Sequence, residues 1–466
     1  MKKSLIAAAC AALVLGSTQS AAQTAQDDLD ARYDRALAAG YMARMLCSAI
    51  SSSERTGTGR TPESVIEWEL TGIQAPLDAI IRDLPYTIVR TDEGQGGAIA
   101  WVEVDWADDA PPRVARHVPG AGCIGLPIGM TDVGGSIIDA GADEAAAIAF
   151  DVPDAPVSAT NAVVSAAFDG TYGEGSRTTA VLIRANGKPV DWGTAPGFTL
   201  FTPQRTWSVA KSIAATVVGA AVQRGEANVA DSAGLGVDKA LDPRSAITID
   251  HALRMASGRY SDTPGNRTDP LYWGGTTVDE RAQNWPLLYM PGTVYRYANN
   301  DTLAAVQAIE GSFDANPPGN ILAAIGMNDT IAETDWRGNY VLSSQVWSTA
   351  DDLAKLGELY LNDGVLEDGT RLLPEGWADY VSDPSGPQPE GTQWGYGAGW
   401  WTFRRPEGNA FEGIPDDAFA ARGNRGQYVV VVPSRGVVIV RRGEDMVGTR
   451  FDIAAFTRDI LAALDE

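Results

Sequence analysis

Histidine and cysteine are scarce in this 466-residue chain, which has two histidines and three cysteines. Neither His117 nor His251 has a cysteine or a second histidine at the spacing of a zinc site. A Ser-His-Asp hydrolase needs a histidine near its serine, and the chain has no Gly-x-Ser-x-Gly elbow. We therefore expect both histidines to be structural, and we expect neither a metal nor a cofactor.

Basic residues are much fewer than acidic residues in this chain. The chain has 36 lysines and arginines against 60 aspartates and glutamates, which gives a formal net charge of -24 at pH 7. No cluster of basic residues offsets this charge, and such a surface repels nucleic acid and anionic membranes. We expect no nucleic-acid partner.

Long apolar runs are absent after the first residues, and no later segment approaches the roughly 18 apolar residues of a membrane helix. The opening stretch MKKSLIAAACAALVLGSTQSAAQ combines two lysines, a short apolar segment and small residues before Gln23, the layout of a secretory signal peptide. We predict removal of residues 1–22 on export and a periplasmic or secreted protein. Because Cys10 lies inside the apolar segment, ordinary cleavage is favoured over lipid attachment.

Two cysteines, Cys47 and Cys123, remain after that cleavage. In an oxidising compartment a pair of cysteines usually forms a bond. We predict a disulfide between them, within an N-terminal module at residues 23–155.

This module is predicted to be a small α+β unit. The stretch DDLDARYDRALAAGYMARMLCSAI has helical periodicity and is predicted to end as a helix near Cys47. LPYTIVRTD, GAIAWVEVDW and PRVARHV are rich in branched and aromatic residues and are bounded by turn residues, which predicts strands. The polar, proline-bearing stretch at 151–160 is predicted to be a linker.

Residues 156–466 are predicted to form a second domain of α+β class. TTAVLIRANGKPVDWG has the pattern of a β-hairpin with a turn at Asn186 and Gly187. Helical patterns dominate from about 206 to 380, then QYVVVVPSRGVVIVRRG indicates strands and DIAAFTRDILAALDE a last helix. Strands at both ends with helices between them imply an antiparallel sheet flanked by helices, with an all-helical region.

The stretch TWSVAKSIAAT, residues 206–216, places Ser208 three residues before Lys211. Residues three apart share a helix face, so the two side chains can meet. A serine needs a base to become a nucleophile, and a lysine becomes one near neutral pH when burial or a nearby cation lowers its pKa. The alternative is that Ser208 caps the helix while Lys211 extends to solvent, since Ser-x-x-Lys is common by chance.

Two further segments add candidate groups. In PGTVYRYANNDTLAAV, Tyr297 and Asn299 lie at a turn before a helix; a phenol beside a lysine can lose its proton more easily and shuttle it. In AARGNRGQYVVVVP, residues 420–433, backbone N–H groups of a glycine-bearing strand could complete an oxyanion hole with that of Ser208.

Together these segments resemble the serine beta-lactamase-related hydrolases of the class C and penicillin-binding superfamily. Within this superfamily, the chain most resembles the branch of the 6-aminohexanoate-dimer hydrolases. The resemblance covers roughly residues 160–466 and includes WSVAKS, ITIDHALRMASG, TDWRGNYVLSSQVWSTADDLAKLGELYLNDG and YGAGWW. It implies a beta-lactamase-like fold and a small-molecule substrate.

The resemblance also implies a role for each matched residue. Ser208 would be the acylated nucleophile, Lys211 would assist its deprotonation, and Tyr297 would be partner base and later acid for the leaving group. Asn299 would hold Lys211 and the substrate, while the N–H groups of Ser208 and Asn424 would bind the oxyanion. Water would then release the acyl group.

The third motif departs from the family pattern, which has lysine or histidine, then Ser/Thr, then glycine. Here Ala421 occupies the position of the lysine or histidine, and Arg422 and Gly423 follow it. Gly423 and Asn424 are both predicted to contact the substrate or the oxyanion. Arg422 or Arg425 could restore the positive charge, but the usual grip on a substrate carboxylate is in doubt. Amide or ester hydrolysis therefore outranks beta-lactam or D-Ala-D-Ala cleavage, and a non-catalytic penicillin-recognising protein is the alternative from another class. The oligomeric state stays open.

Overall fold

The structure is a computed structural model that describes residues 2–91, 97–131, 158–237, 241–260 and 268–465, with side chains from Gln23 onward. Its N-terminal module packs a long helix against a four-stranded antiparallel sheet of order β1-β2-β3-β4. The elements of this module are α1 (Lys2–Arg55), α2 (Pro62–Trp68), α3 (Asp78–Ile81), β1 (Tyr86–Arg90), β2 (Ile99–Val104), β3 (Arg113–Val118) and β4 (Gly122–Gly125).

The three strands predicted in this module are present, but two details of the sequence prediction are wrong. Helix α1 continues eight residues past Cys47, because residues 48–53 are also buried and the chain turns only near Gly57, whose φ is 71°. The fourth strand, β4, was not predicted, since Gly122–Gly125 has too few branched residues to signal a strand.

The predicted disulfide between Cys47 and Cys123 is confirmed. It links α1 to β4, with the two Cα atoms 6.0 Å apart. The bond closes a loop of 76 residues, so it restricts the unfolded chain strongly. It therefore fixes the sheet of the module onto its long helix.

A second α+β unit follows, as predicted. The Asn186–Gly187 hairpin, the two late strands and the last helix are all confirmed. The elements are α4 (Asn161–Ala166), β5 (Thr178–Ala185), β6 (Lys188–Thr194), β7 (Gln204–Arg205), α5 (Ala210–Gln223), α6 (Ile249–Leu253), α7 (Asp269–Tyr272), α8 (Val278–Ala282), α9 (Asn299–Gln307), α10 (Pro318–Ile325), β8 (Ile331–Ala332), β9 (Val346–Ser348), α11 (Ala350–Leu361), α12 (Trp377–Ser382), β10 (Gly395–Tyr396), β11 (Trp401–Thr402), β12 (Arg404–Arg405), β13 (Gly408–Asn409), β14 (Phe419–Gly423), β15 (Gln427–Val432), β16 (Val437–Gly443) and α13 (Ile453–Ala463).

A seven-stranded antiparallel sheet organises this unit, in the order β10-β11-β14-β15-β16-β5-β6. Successive residues of β15 face opposite sides: Val429 and Val431 pack with α5 and α11, whereas Val430 and Val432 pack with α13. Burial on both faces explains why this strand is an uninterrupted apolar run in the sequence. Layers of helices therefore cover the sheet on either side.

The two units share one core. Buried side chains of α1 and the first sheet pack in the same cluster as Trp207, Trp273, Val341 and Trp347 of the second unit. Buried ionic contacts cross the same boundary, including Arg44 with Glu333 at 3.1 Å. The predicted domain limits, 23–155 and 156–466, stay predictions, and most of the predicted linker lies outside the described residues.

Within the part of the chain that the structure describes, no helix has both the length and the apolar content required to cross a bilayer.

Candidate active site

The candidate nucleophile lies in a tight turn. Ser208 is the middle residue of a 3-10 turn, Trp207–Val209, that leads directly into α5, and its side chain is partly exposed. Trp207 has a φ of 50°, a left-handed conformation that is costly for a bulky residue and persists only where its surroundings enforce it. Helix α5 behind the turn is buried along nearly its whole length. Ser208 is thus presented at the start of a buried helix.

Lys211 is buried within the first turn of α5, with 1% of the residue exposed. Its Nζ lies 3.0 Å from Oγ of Ser208 and donates to Oδ1 of Asn299 at 2.6 Å and to the carbonyl oxygen of Ser343 at 2.9 Å. Burial lowers the pKa of Lys211 well below its ordinary value, and the positive charge of Arg205 lowers this pKa further. The alternative in which Lys211 extends to solvent is therefore wrong.

Arg205 is the cation that acts on Lys211. It is buried on β7, with its guanidinium 3.6 Å from the Trp207 ring centroid and 4.6 Å from that of Trp273. It donates to the carbonyl oxygen of Ser344 at 3.2 Å and to the Ser344 hydroxyl at 2.6 Å. Burial lowers the pKa of Arg205 to about 10, so it stays charged at neutral pH. These contacts hold a positive charge beside the lysine.

Tyr297 lies beside both Ser208 and Lys211. The Lys211 Nζ is 4.9 Å from its ring centroid, and the ring packs against Trp401 and Tyr396 at centroid distances of 5.6 and 6.1 Å. Burial raises the pKa of Tyr297 to about 12, although a hydrogen bond with Ser208 and the charge of Arg422 act in the opposite direction. The expectation that this phenol loses its proton easily is therefore corrected: it retains the proton at neutral pH because burial dominates.

Asn299 orients the lysine. It is the first residue of α9 and is buried. While its Oδ1 accepts the bond from Lys211, its Nδ2 donates to Oγ1 of Thr268 at 3.1 Å. Because an amide has distinct donor and acceptor ends, the Thr268 contact keeps the oxygen directed at the ammonium.

The third segment meets the nucleophile turn at Gly423, the last residue of β14. A Cβ at this position would lie 2.4 Å from the carbonyl oxygen of Thr206, so only glycine permits this approach. Asn424 follows directly and is exposed. The close contact places the start of this turn next to the segment that bears Ser208.

The two arginines of this segment differ in position. Arg422 stacks between Trp394 and Trp401, with its guanidinium 4.1 and 4.8 Å from their ring centroids, and its charge reaches Tyr297. Arg425 is buried and bonds to carbonyl oxygens of the N-terminal module instead. Ala421 is fully buried, so the position that has a cation in the family pattern faces the core. Of these two arginines, Arg422 is the one whose charge acts on the Tyr297 phenol.

The structure brings Ser208, Lys211, Tyr297 and Asn299 together and brings Gly423 against the same turn. His251 has a structural contact instead: its Nδ1 accepts from the backbone N–H of Thr248 and closes a capping box at α6. His117 lies on β3 of the N-terminal module. Among the described residues, no group of three or more His, Cys, Asp or Glu side chains could hold a metal ion.

Three contributors were missed in the sequence: Arg205, Thr268 and the Ser343 carbonyl. Arg205 directly precedes TWSVAKSIAAT, and a charged residue next to this apolar stretch was the signal that could have identified it. Ser343 contributes only a backbone oxygen, and Thr268 is distant along the chain, so neither gave a signal.

Comparison with known proteins identifies the family of this chain and solved structures that share its fold. A family model described as Beta-lactamase matches residues 164–464. A proposed 6-aminohexanoate-dimer hydrolase from Bacillus anthracis superposes with a TM-score of 0.52 at 20% identity, covering 62% of this chain and 80% of that one. A proposed beta-lactamase from Bacteroides dorei DSM 17855 gives 0.53 at 17% identity, covering 66% and 98%. At such identities the structures show a shared fold, and no curated protein matches the sequence.

Proposed function

Because the chain belongs to the beta-lactamase family, we propose that it is an exported serine hydrolase that cleaves a small amide or ester through an acyl-enzyme on Ser208. The observation that carries this proposal is the buried Lys211, whose Nζ lies 3.0 Å from the Ser208 hydroxyl oxygen. A buried lysine with a lowered pKa is neutral at lower pH than a free one, and a neutral amine is a base.

In the acylation step, neutral Lys211 takes the hydroxyl proton of Ser208 as Oγ attacks the substrate carbonyl. The N–H groups of Ser208 and Asn424 stabilise the resulting oxyanion. Tyr297, which retains its proton, donates it to the leaving nitrogen or oxygen as the carbonyl–leaving-group bond breaks. The proton on Lys211 then passes to the phenolate, which restores both groups.

In the deacylation step, a water molecule takes the place of the leaving group beside the acyl-enzyme. The same base removes a proton from water as its oxygen attacks the acyl carbonyl, and Ser208 leaves with a proton returned to Oγ. Asn299 holds the lysine in place through both steps because it is fixed by Thr268.

Beta-lactam or D-Ala-D-Ala peptidase activity is the alternative within the same chemistry. It is disfavoured because Ala421 is buried in the core and supplies no cation. A screen of esters, short amides and lactams against the same preparation separates these substrates.

The function is tested by labelling. We expect the intact mass of the exported protein to increase by one phosphonyl group after brief exposure to a fluorophosphonate, with the label on the peptide that contains Ser208. An activated ester should give the corresponding acyl mass. If the folded protein gains neither mass, the hydrolase proposal fails and the non-catalytic binding protein becomes the better explanation.

Export is a separate part of the proposal. We expect the exported protein to begin at Gln23 and to react with an alkylating reagent at Cys47 and Cys123 only after reduction, since the two sulfurs are bonded. Mass spectrometry of intact protein with and without reduction measures both. A mature chain that retains residues 1–22, or that is alkylated without reduction, contradicts this expectation.

Replacement of Tyr297 by phenylalanine is expected to lower kcat for an amide by about 10²- to 10⁴-fold, because it removes the proposed proton donor to the leaving group. An ester with a good leaving group should be affected much less, since it departs without a proton. Tyr295→Phe is the matched control: it removes a second phenol, which packs on the same Tyr396 ring at 5.4 Å. Equal losses in the two variants, or equal losses on amide and ester, would contradict the assignment.

A further inference from the structure

Arg425, in the segment 420–433, contacts the N-terminal module. The Nη2 of Arg425 donates to the carbonyl oxygens of Trp68 at 2.7 Å and of Thr71 at 3.0 Å, both in or just after α2. Its Nη1 donates to the carbonyl oxygen of Glu69 at 3.4 Å. The carbonyl groups at the end of a helix lack partners in the helix and favour a cation. Arg425 therefore closes the end of α2.

The backbone of Arg425 is unusual for a side chain of this size. Its φ is 57°, in the left-handed region, and 5% of the residue is exposed. Such a conformation is unfavourable for a residue other than glycine and persists where surrounding contacts hold it. The holding contacts include an ion pair between Nε of Arg425 and Oε2 of Glu444 at 2.7 Å and the bond from Nη2 to the Glu444 carbonyl oxygen at 3.2 Å.

Arg425 belongs to the same 3-10 turn, Asn424–Gly426, as the proposed second oxyanion donor. The turn is fixed before it by Gly423 against Thr206, and after it by Arg441, which donates to the Gly426 carbonyl oxygen at 2.8 Å. Within the turn, the Arg425 carbonyl oxygen accepts from the backbone N–H of Asp445 at 3.1 Å, and the Arg425 side chain anchors the turn to the end of α2. Because Arg425 directly follows Asn424, these contacts restrict the backbone of the turn that carries the Asn424 N–H group.

We propose that Arg425 is a positioning residue through which helix α2 of the N-terminal module sets the oxyanion-binding turn at Asn424. This inference rests on the proposed acyl-enzyme mechanism. It gives the N-terminal module a role in catalysis, because the module then holds a turn of the active site in place.

The test is the rate of acylation in Arg425→Lys. Lysine keeps the positive charge beside Glu444, and it is as unfavourable as arginine at a φ of 57°, so the backbone cost does not change. A single ammonium, however, cannot reach the carbonyl groups of Trp68 and Thr71 together with Glu444. We expect the acylation rate constant per titrated active site to fall by about 10- to 100-fold, less than the loss of a whole oxyanion donor. The dissociation constant of the activated ester before acylation should change little, and the acid limb of the pH profile should not move, because Lys211 and Arg205 keep their contacts.

Active-site titration by the acyl burst separates this effect from partial unfolding, since it counts competent sites. Arg44→Lys is the matched control: Arg44 is also buried at the boundary between the two units, but it contacts Glu333 and Thr334. It should lose stability and keep its rate per titrated site. Arg425→Asn covers the case in which the lysine variant does not fold, because asparagine tolerates the left-handed region; its acylation should be slowed as well.

An acylation rate per site equal to that of the wild type in a folded Arg425 variant would overturn the inference while leaving the hydrolase proposal intact. An equal fall in Arg44→Lys would also overturn it, since the effect would then belong to the boundary in general. If the wild type is not acylated, the hydrolase proposal fails first and this inference fails with it.

Discussion

Replacement of Ser208 by alanine is expected to abolish acylation and to lower turnover of an activated ester by roughly 10⁴- to 10⁶-fold. The hydroxyl is the only proposed attacking group, and its removal leaves the base and the oxyanion donors without a nucleophile. The fold should survive, because the side chain is partly exposed and its loss costs about one hydrogen bond, on the order of 1 kcal/mol. Intact mass after fluorophosphonate treatment and the rate of ester hydrolysis measure the effect.

Ser212→Ala is the control for this prediction. Ser212 lies one turn further along α5, is buried, and donates to the carbonyl oxygen of Gly399 at 2.8 Å. Its removal should cost stability through an unsatisfied carbonyl group and leave labelling at Ser208 unchanged. If Ser208→Ala still gains the phosphonyl mass, another residue is the nucleophile and the proposed mechanism is wrong.

The sequence allowed the local parts of this site to be predicted and left out the parts made by distant contacts. Ser208 and Lys211 are three residues apart on one helix face, so their meeting follows from helix geometry alone. Tyr297 and Asn299 lie much further along the chain, with Asn299 separated from Lys211 by 88 positions. Only the resemblance to known hydrolases connected these two residues to Lys211. Thr268 had neither a local nor a family signal.

The same distinction applies to the fold. The hairpin at Asn186–Gly187 and the strand at 427–432 were predicted because turn chemistry and apolar runs are local signals. The end of α1 was misplaced because burial of residues 48–53 by the rest of the protein extends the helix beyond its clear periodicity. The charge of Arg205 was overlooked because its cost is offset by two tryptophan rings that meet only in the folded chain.

Replacement of Lys211 by alanine is expected to lower kcat/KM by about 10³- to 10⁴-fold, because it removes the proposed base for both steps. The variant should remain folded: the change leaves acceptors on Asn299 and Ser343 without their partner, but it also removes an amine whose charged form is unfavourable when buried. Lys211→Met, which retains the apolar volume, should show the same loss. Lys355→Met is the control, since Lys355 pairs with Asp351 and Asp352 on α11; wild-type rates in Lys211→Ala would exclude the lysine as base.

The pH dependence of kcat/KM distinguishes a base from a structural lysine. Because Lys211 must be neutral to accept the proton of Ser208, activity should rise with pH through the pKa of Lys211, which burial and Arg205 place well below its ordinary value. Arg205→Gln removes the positive charge, so the pKa of Lys211 should rise and the acid limb should move to higher pH; Arg205→Lys, which retains the charge, should leave it near the wild-type position. Tyr297, with a pKa of about 12, stays neutral throughout and cannot account for such a shift. An acid limb that does not move in Arg205→Gln would mean that the charge of Arg205 does not govern the lysine, and burial alone would then have to explain its activation.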